Sequence, residues 1–137
     1  MLTFPNQLGS QQHQINHFLH QLTQLYQDTK LERLQAALTY PGSEDGFSIV
    51  EELELLTVDI SGYATQIQAT GQVKNVEKAI VDLRRFNVFE NSVVIQFYQV
   101  AGNDYPNLQS YIQLLDYLRL LSLEYLQQHQ PQYAVPA

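Results

Sequence analysis

The stretch Ile67-Gln68-Ala69-Thr70-Gly71-Gln72-Val73, with the segments 76–86 and 93–100 that follow it, decides how this chain is read. Ile67, Ala69, Gly71 and Val73 alternate with Gln66, Gln68, Thr70 and Gln72, the period-two pattern of a half-buried strand. The period then changes. Val76, Ala79, Ile80, Leu83 and Phe86 recur at three- and four-residue steps, which predicts a helix with one apolar stripe, capped by Asn75. Val93, Ile95 and Phe97 against Val94, Gln96 and Tyr98 restore strand periodicity up to Val100. A strand, a crossover helix and a strand predict a right-handed βαβ unit.

Working outward, residues 47–60 also read as a strand. Leu53 and Leu55 fall on one face and Leu56, Val58 and Ile60 on the other, so the strand reading requires a β-bulge near Leu55-Leu56. Ser61-Gly62-Tyr63-Ala64 then turns this strand into the next as a hairpin. Upstream, Ser10 can cap a helix running to about Gln27, with Ile15, Phe18, Leu19, Leu22, Leu25 and Tyr26 as its buried stripe. A capping-box pattern at Thr29-Lys30-Leu31-Glu32 restarts the stripe at Leu31, Leu34 and Leu38. Either one helix drifts in phase or two meet at a bend near Asp28. Residues 40–46 and 101–106 read as loops, and Asn107 can cap a last helix ending near Gln128. The expected architecture is α+β, in the order α-β-β-α-β-α: a small three-stranded, mixed, ferredoxin-like sheet packed against long N- and C-terminal helices. The whole of 1–137 reads as one domain, with 1–9 and 130–137 as loose ends.

Composition removes several classes of function. The chain carries a net charge of −7 with only seven Lys and Arg, so it lacks the clustered basic surface that a nucleic-acid backbone requires. There is no cysteine, which rules out thiol catalysis, disulfides and thiolate zinc sites. Residues 1–10 have neither the basic nor the apolar region of a signal peptide. The apolar run 108–126 is broken by Gln109, Gln113, Asp116, Arg119 and Glu124, too polar to insert in a membrane. These features place the chain in the cytoplasm, or in the periplasm if it is a fragment of a membrane protein.

Reactive groups are sparse. His13, His17 and His20, at spacings of four and three, share one side of the first helix and are the candidate metal ligands of a small-ligand or metal-binding reading. Their rise along one axis opposes convergence on one ion, and a solvent-facing polar stripe opposite the Ile15, Phe18 and Leu22 core stripe accounts for them better, so no metal is expected. Glu44, Asp45, Glu51, Glu52, Glu54 and Asp59 read as the solvated face of the first strand. Ser61-Gly62 and Gly71 match no nucleophile elbow, dinucleotide loop or phosphate loop. No enzyme and no cofactor are expected. The last helix is apolar around nearly its whole girth, and one face of a small sheet cannot bury such a helix. Its remainder must be covered by the first helix, a second copy or a partner. Leu108, Tyr111, Ile112, Leu115, Leu118, Leu121 and Tyr125 are therefore the candidate interface of a homodimeric protein-protein interaction or assembly module.

The segments 67–73 and 76–83, with Phe86-Asn87-Val88-Phe89-Glu90-Asn91-Ser92-Val93, also resemble the PilN-type assembly proteins of type IV pili and the related periplasmic domain of the GspL secretion protein. The resemblance spans about half of the chain. Leu31 to Leu38 and the first strand occupy the places of that family's helix and strand, whereas the long C-terminal helix is an addition. It implies a non-catalytic, ferredoxin-like scaffold that dimerises or binds other assembly proteins.

Overall fold

The computed structural model describes residues 7–42, 46–101 and 104–129. It contains helices α1 (Gln7–Asp28), α2 (Lys30–Thr39), α3 (Ile49–Thr70), α4 (Val76–Arg85), α5 (Ser92–Ala101) and α6 (Pro106–His129), with a 3-10 turn at Val88–Glu90. No strand occurs among the described residues. The expected α+β, ferredoxin-like sheet is corrected to an all-helical bundle.

The correction turns on α3, which unites the two segments read as strands and the hairpin between them. Leu53, Leu56, Ile60, Ala64 and Ile67 are all buried and recur at steps of three, four, four and three, one stripe of a 3.6-residue period. The bulge demanded near Leu55-Leu56 is thus the point where a helical phase crosses a period-two template. Alternation of Ile67, Ala69, Gly71 and Val73 is the end of that helix and the turn after it. Ser48 starts α3 with a capping box: its side chain accepts from the Glu51 amide and the Glu51 carboxylate accepts from the Ser48 amide. Gly71 ends it in the left-handed region at φ 76°, where a Cβ would also lie 3.2 Å from Gln12 Nε2 and Tyr125 Oη. The segment 93–100, rich in β-branched residues, is helical too. Asn91 Oδ1 accepts from the amides of Val93 and Val94, and Val94 and Phe97 are buried one turn apart. α4 begins behind Asn75, whose Oδ1 accepts from the Lys78 amide.

Paired contacts fix the directions of the long helices. Gln11 meets Gln128, Phe18 stacks on Tyr117 and Tyr26 lies against Tyr111, so α1 runs antiparallel to α6. Thr57 bonds Tyr111 and the Gly71 carbonyl accepts from Tyr125, so α3 runs parallel to α6. The core lies between these three, with α4 against α6 and α5 against α3. Tyr63 Oη donates to Asp82 Oδ2 at 2.6 Å and Asn91 Nδ2 to Glu52 Oε1 at 2.8 Å, tying α4 and the start of α5 to α3. Arg119, buried in α6, donates to the Leu83 carbonyl at 2.8 Å and pairs with Asp116 at 2.9 Å, satisfying a buried carbonyl in the last turn of α4.

α1 reaches back to Gln7, so residues 7–9 are helical rather than loose; 1–6, 130–137, 43–45 and 102–103 lie outside the described residues. Two helices do meet near Asp28. Buried Thr29 donates from Oγ1 to the Tyr26 carbonyl at 2.7 Å, and Arg33 stacks 3.8 Å over the Tyr26 ring. Among the described residues no helix is long and apolar enough to cross a membrane.

Glu32 is the long-range anchor of α2. Its carboxylate accepts from the amides of Asn107 and Leu108 and from Asn107 Nδ2, at 3.1, 2.9 and 2.6 Å, capping α6 from another helix. Glu32→Ala is expected to cost about 1–2 kcal/mol in urea denaturation, the range of a lost N-cap, and Glu32→Gln less. An unchanged midpoint for Glu32→Ala would show that the cap carries no stability.

Candidate functional site

The seven residues expected to form an interface on α6 lie inside the single chain. Leu108, Tyr111, Ile112, Leu115, Leu118 and Tyr125 are buried, and Leu121 is half-buried against the core. Of the three ways to cover α6, its own helices supply the cover. Only Tyr117 and Leu120 among its large apolar side chains are exposed.

His13, His17 and His20 do share one exposed side of α1, around an open hollow that Phe18 and Tyr117 also line. The ring of His17 meets Phe18 edge-on at 5.3 Å. Among the described residues no group of three or more His, Cys, Asp or Glu gathers closely enough to hold a metal ion. The acidic residues sit on α3 rather than on a strand. Glu51 is spent in the capping box and Glu52 on Asn91, whereas Glu54 and Asp59 remain exposed; Glu44 and Asp45 lie outside the described residues.

Two features remain, and the first is a reversed helix. Leu31, Leu34 and Leu38 of α2, expected in the core, are 79%, 58% and 85% exposed. At 3.6 residues per turn the three fall within an arc of about 60°. Ala36 is buried, and Glu32 and Arg33 are turned onto α6 and Tyr26, so the leucines point away from the bundle. Their spacing of three and four residues is the seam by which one helix packs on another. A signal for this was present in the chain. The buried positions Ile15, Leu22, Thr29 and Ala36 recur every seven residues straight through the α1–α2 joint, and the leucines are out of that phase.

The second feature is an open groove of about 390 Å³ between α1 and α3. Leu22 and Tyr111 are its buried floor, Leu19 and Val58 its apolar sides, and Glu54 and Gln27 stand exposed at its edge. Thr57 Oγ1 donates to the Leu53 carbonyl at 2.6 Å, so the 2.8 Å bond between Thr57 and Tyr111 is donated by the phenol. Burial pushes the Tyr111 hydroxyl up from 10.0 to about 12, so it keeps its proton at neutral pH. The size and apolar lining are those of a small-molecule site. Neither feature assembles a nucleophile with a base.

Compared with protein-family models, with curated proteins and with solved structures, the chain has no match.

A phenol whose pKa is higher in the folded state than in the unfolded one contributes stability that is complete below its unfolded pKa and lost as pH rises through the folded value. The protein is therefore expected to lose on the order of 2–3 kcal/mol through Tyr111 between pH 10 and 12. Tyr111→Phe should flatten that part of the profile in urea melts at stepped pH. An equal slope in the variant would assign the loss to other groups.

Proposed function

We propose that this chain is a non-enzymatic protein-protein interaction module that associates with a second copy of itself through α2. The observation that carries this reading is the outward stripe of Leu31, Leu34 and Leu38, on a helix whose inner side is already committed. Large apolar side chains in register on one exposed helical face are what a partner helix covers.

Charge favours a copy of the same chain as that partner. The protein is strongly acidic overall, yet the one carboxylate of α2, Glu32, is withdrawn onto the start of α6. Arg33 is withdrawn onto Tyr26 and Thr29. The stripe is left with uncharged Gln35 and Ala37 beside it and with Lys30 at one end. Antiparallel pairing across a two-fold axis then buries leucine on leucine and holds the two Lys30 side chains at opposite ends. The exposed parts of the three leucines amount to rather more than two whole side chains per copy, so mutual burial releases about 7–13 kcal/mol before costs. Association itself costs ~4–15 kcal/mol. A dimer dissociating in the micromolar range or above fits this balance.

Sedimentation of the full chain from about 5 to 500 μM tests it, with association at micromolar concentration or above expected. Leu34→Glu places two carboxylates face to face across the axis and is expected to raise the dissociation constant at least ~10-fold while leaving helix content and melting temperature unchanged. A wild-type chain monomeric throughout, or a Leu34→Glu chain that still dimerises, would refute the reading.

A further inference from the structure

We infer that the groove between α1 and α3 is a binding site for an alkylammonium group, with Glu54 receiving the charge and Leu19, Leu22 and Val58 the hydrocarbon. The inference rests on where the protons of the lining hydroxyls go. Thr23 Oγ1 donates to the Leu19 carbonyl at 3.0 Å, Thr57 to the Leu53 carbonyl at 2.6 Å and Ser61 to the Thr57 carbonyl at 2.5 Å, each bonding four residues back along its own helix. Tyr111 gives its proton to Thr57. A hydroxyl has one proton and two lone pairs, so these four present only lone pairs to whatever enters, whereas Tyr26, the fifth lining hydroxyl, accepts from Arg33, and Gln27 at the edge carries an amide with donors of its own. Glu54 is acceptor-only as well, and it makes no hydrogen bond or ion pair within the described residues. The groove is thus apolar below, rich in acceptors at its walls and edged by a carboxylate.

A ligand for such a site must bring its own donors. An ammonium brings three and no acceptor, and its charge is matched by Glu54 and by the acidity of the whole chain. An anion would meet the Glu54 carboxylate and four acceptor hydroxyls. Arg33, the nearby cation, does not line the groove and is committed to the ring, hydroxyl and carbonyl of Tyr26 and to Thr29. About 390 Å³ is room for a short alkyl chain rather than a large metabolite. The stripe leucines do not line this groove, so the two surfaces stand or fall separately.

Titration of the ¹⁵N-labelled full chain with n-hexylammonium tests the inference, read from amide shifts at Leu22, Tyr26, Thr57 and Val58. Saturable shifts at these residues are expected, with 1-hexanol at least ~10-fold weaker and hexanoate without effect, because only the ammonium carries the charge that Glu54 receives. Glu54→Gln, an exposed position, should weaken hexylammonium at least ~10-fold and leave hexanol unchanged, and Leu34→Glu should bind as the wild type does. Nα-acetyl-lysine methylamide competing at similar concentration would assign the site to a lysine side chain of another protein. Its failure to compete while hexylammonium saturates would assign it to a free amine. Equal binding of hexanol and hexylammonium, unaltered affinity in Glu54→Gln, or no saturable shift in the groove would overturn the inference.

Discussion

A helix that is apolar around most of its girth has to be covered from several sides at once, and α6 is such a helix. Its buried residues, from Leu108 to Leu126, span about 140° of its circumference, and the half-buried Leu114, Leu121 and Leu123 widen that arc to about 200°. Two long helices meet that demand, α1 antiparallel and α3 parallel to it, and α4 closes a third side. The remaining elements follow from this arrangement. α3 and α6 point the same way, so the chain between them has to return along the bundle, and the passage through α4, the turn at Val88–Glu90 and α5 makes that return.

The polar groups inside mark where helix ends meet the core. Arg119 reaches the Leu83 carbonyl, Tyr125 the Gly71 carbonyl and Glu32 the first amides of α6. Each bond satisfies a backbone group that its own helix leaves unpaired. The same economy shapes both candidate surfaces. Turning Glu32 and Arg33 inward strips charge from the outer side of α2 and leaves its leucines in water. Back-bonding of Thr23, Thr57 and Ser61 along their helices leaves the groove between α1 and α3 lined by acceptors.

Strand periodicity misleads at 93–100 and 47–73 for different reasons. In the first, Val93, Val94 and Ile95 carry strong β preference, and tertiary burial of Val94 and Phe97 against the bundle overrides it. In the second, glutamine and threonine fill the outer face of α3, so polar and apolar residues happen to alternate near Ile67, and the 3.6-residue stripe shows only over the full length from Leu53. A strand reading that needed a bulge beside a hairpin was less economical than one continuous helix. The leucines of α2 were legible as a stripe but not in direction, since periodicity tells which residues share a face and says nothing of what that face meets.

Although the cap expected of Asn107 is supplied by Glu32 from another helix, residue order and type alone determined the helices α1, α4 and α6, the cap at Asn75, the bend near Asp28 and the acidic charge balance. Those properties are local or additive: a cap, a stripe or a charge balance depends on residues a few positions apart, or on none in particular. The tertiary structure alone decided that Leu115 and Tyr111 belong to the core and Leu31, Leu34 and Leu38 to the surface, and that Glu54 stands beside a groove. Those assignments depend on which helix covers which, and that is settled by the competition of all the apolar faces for one interior.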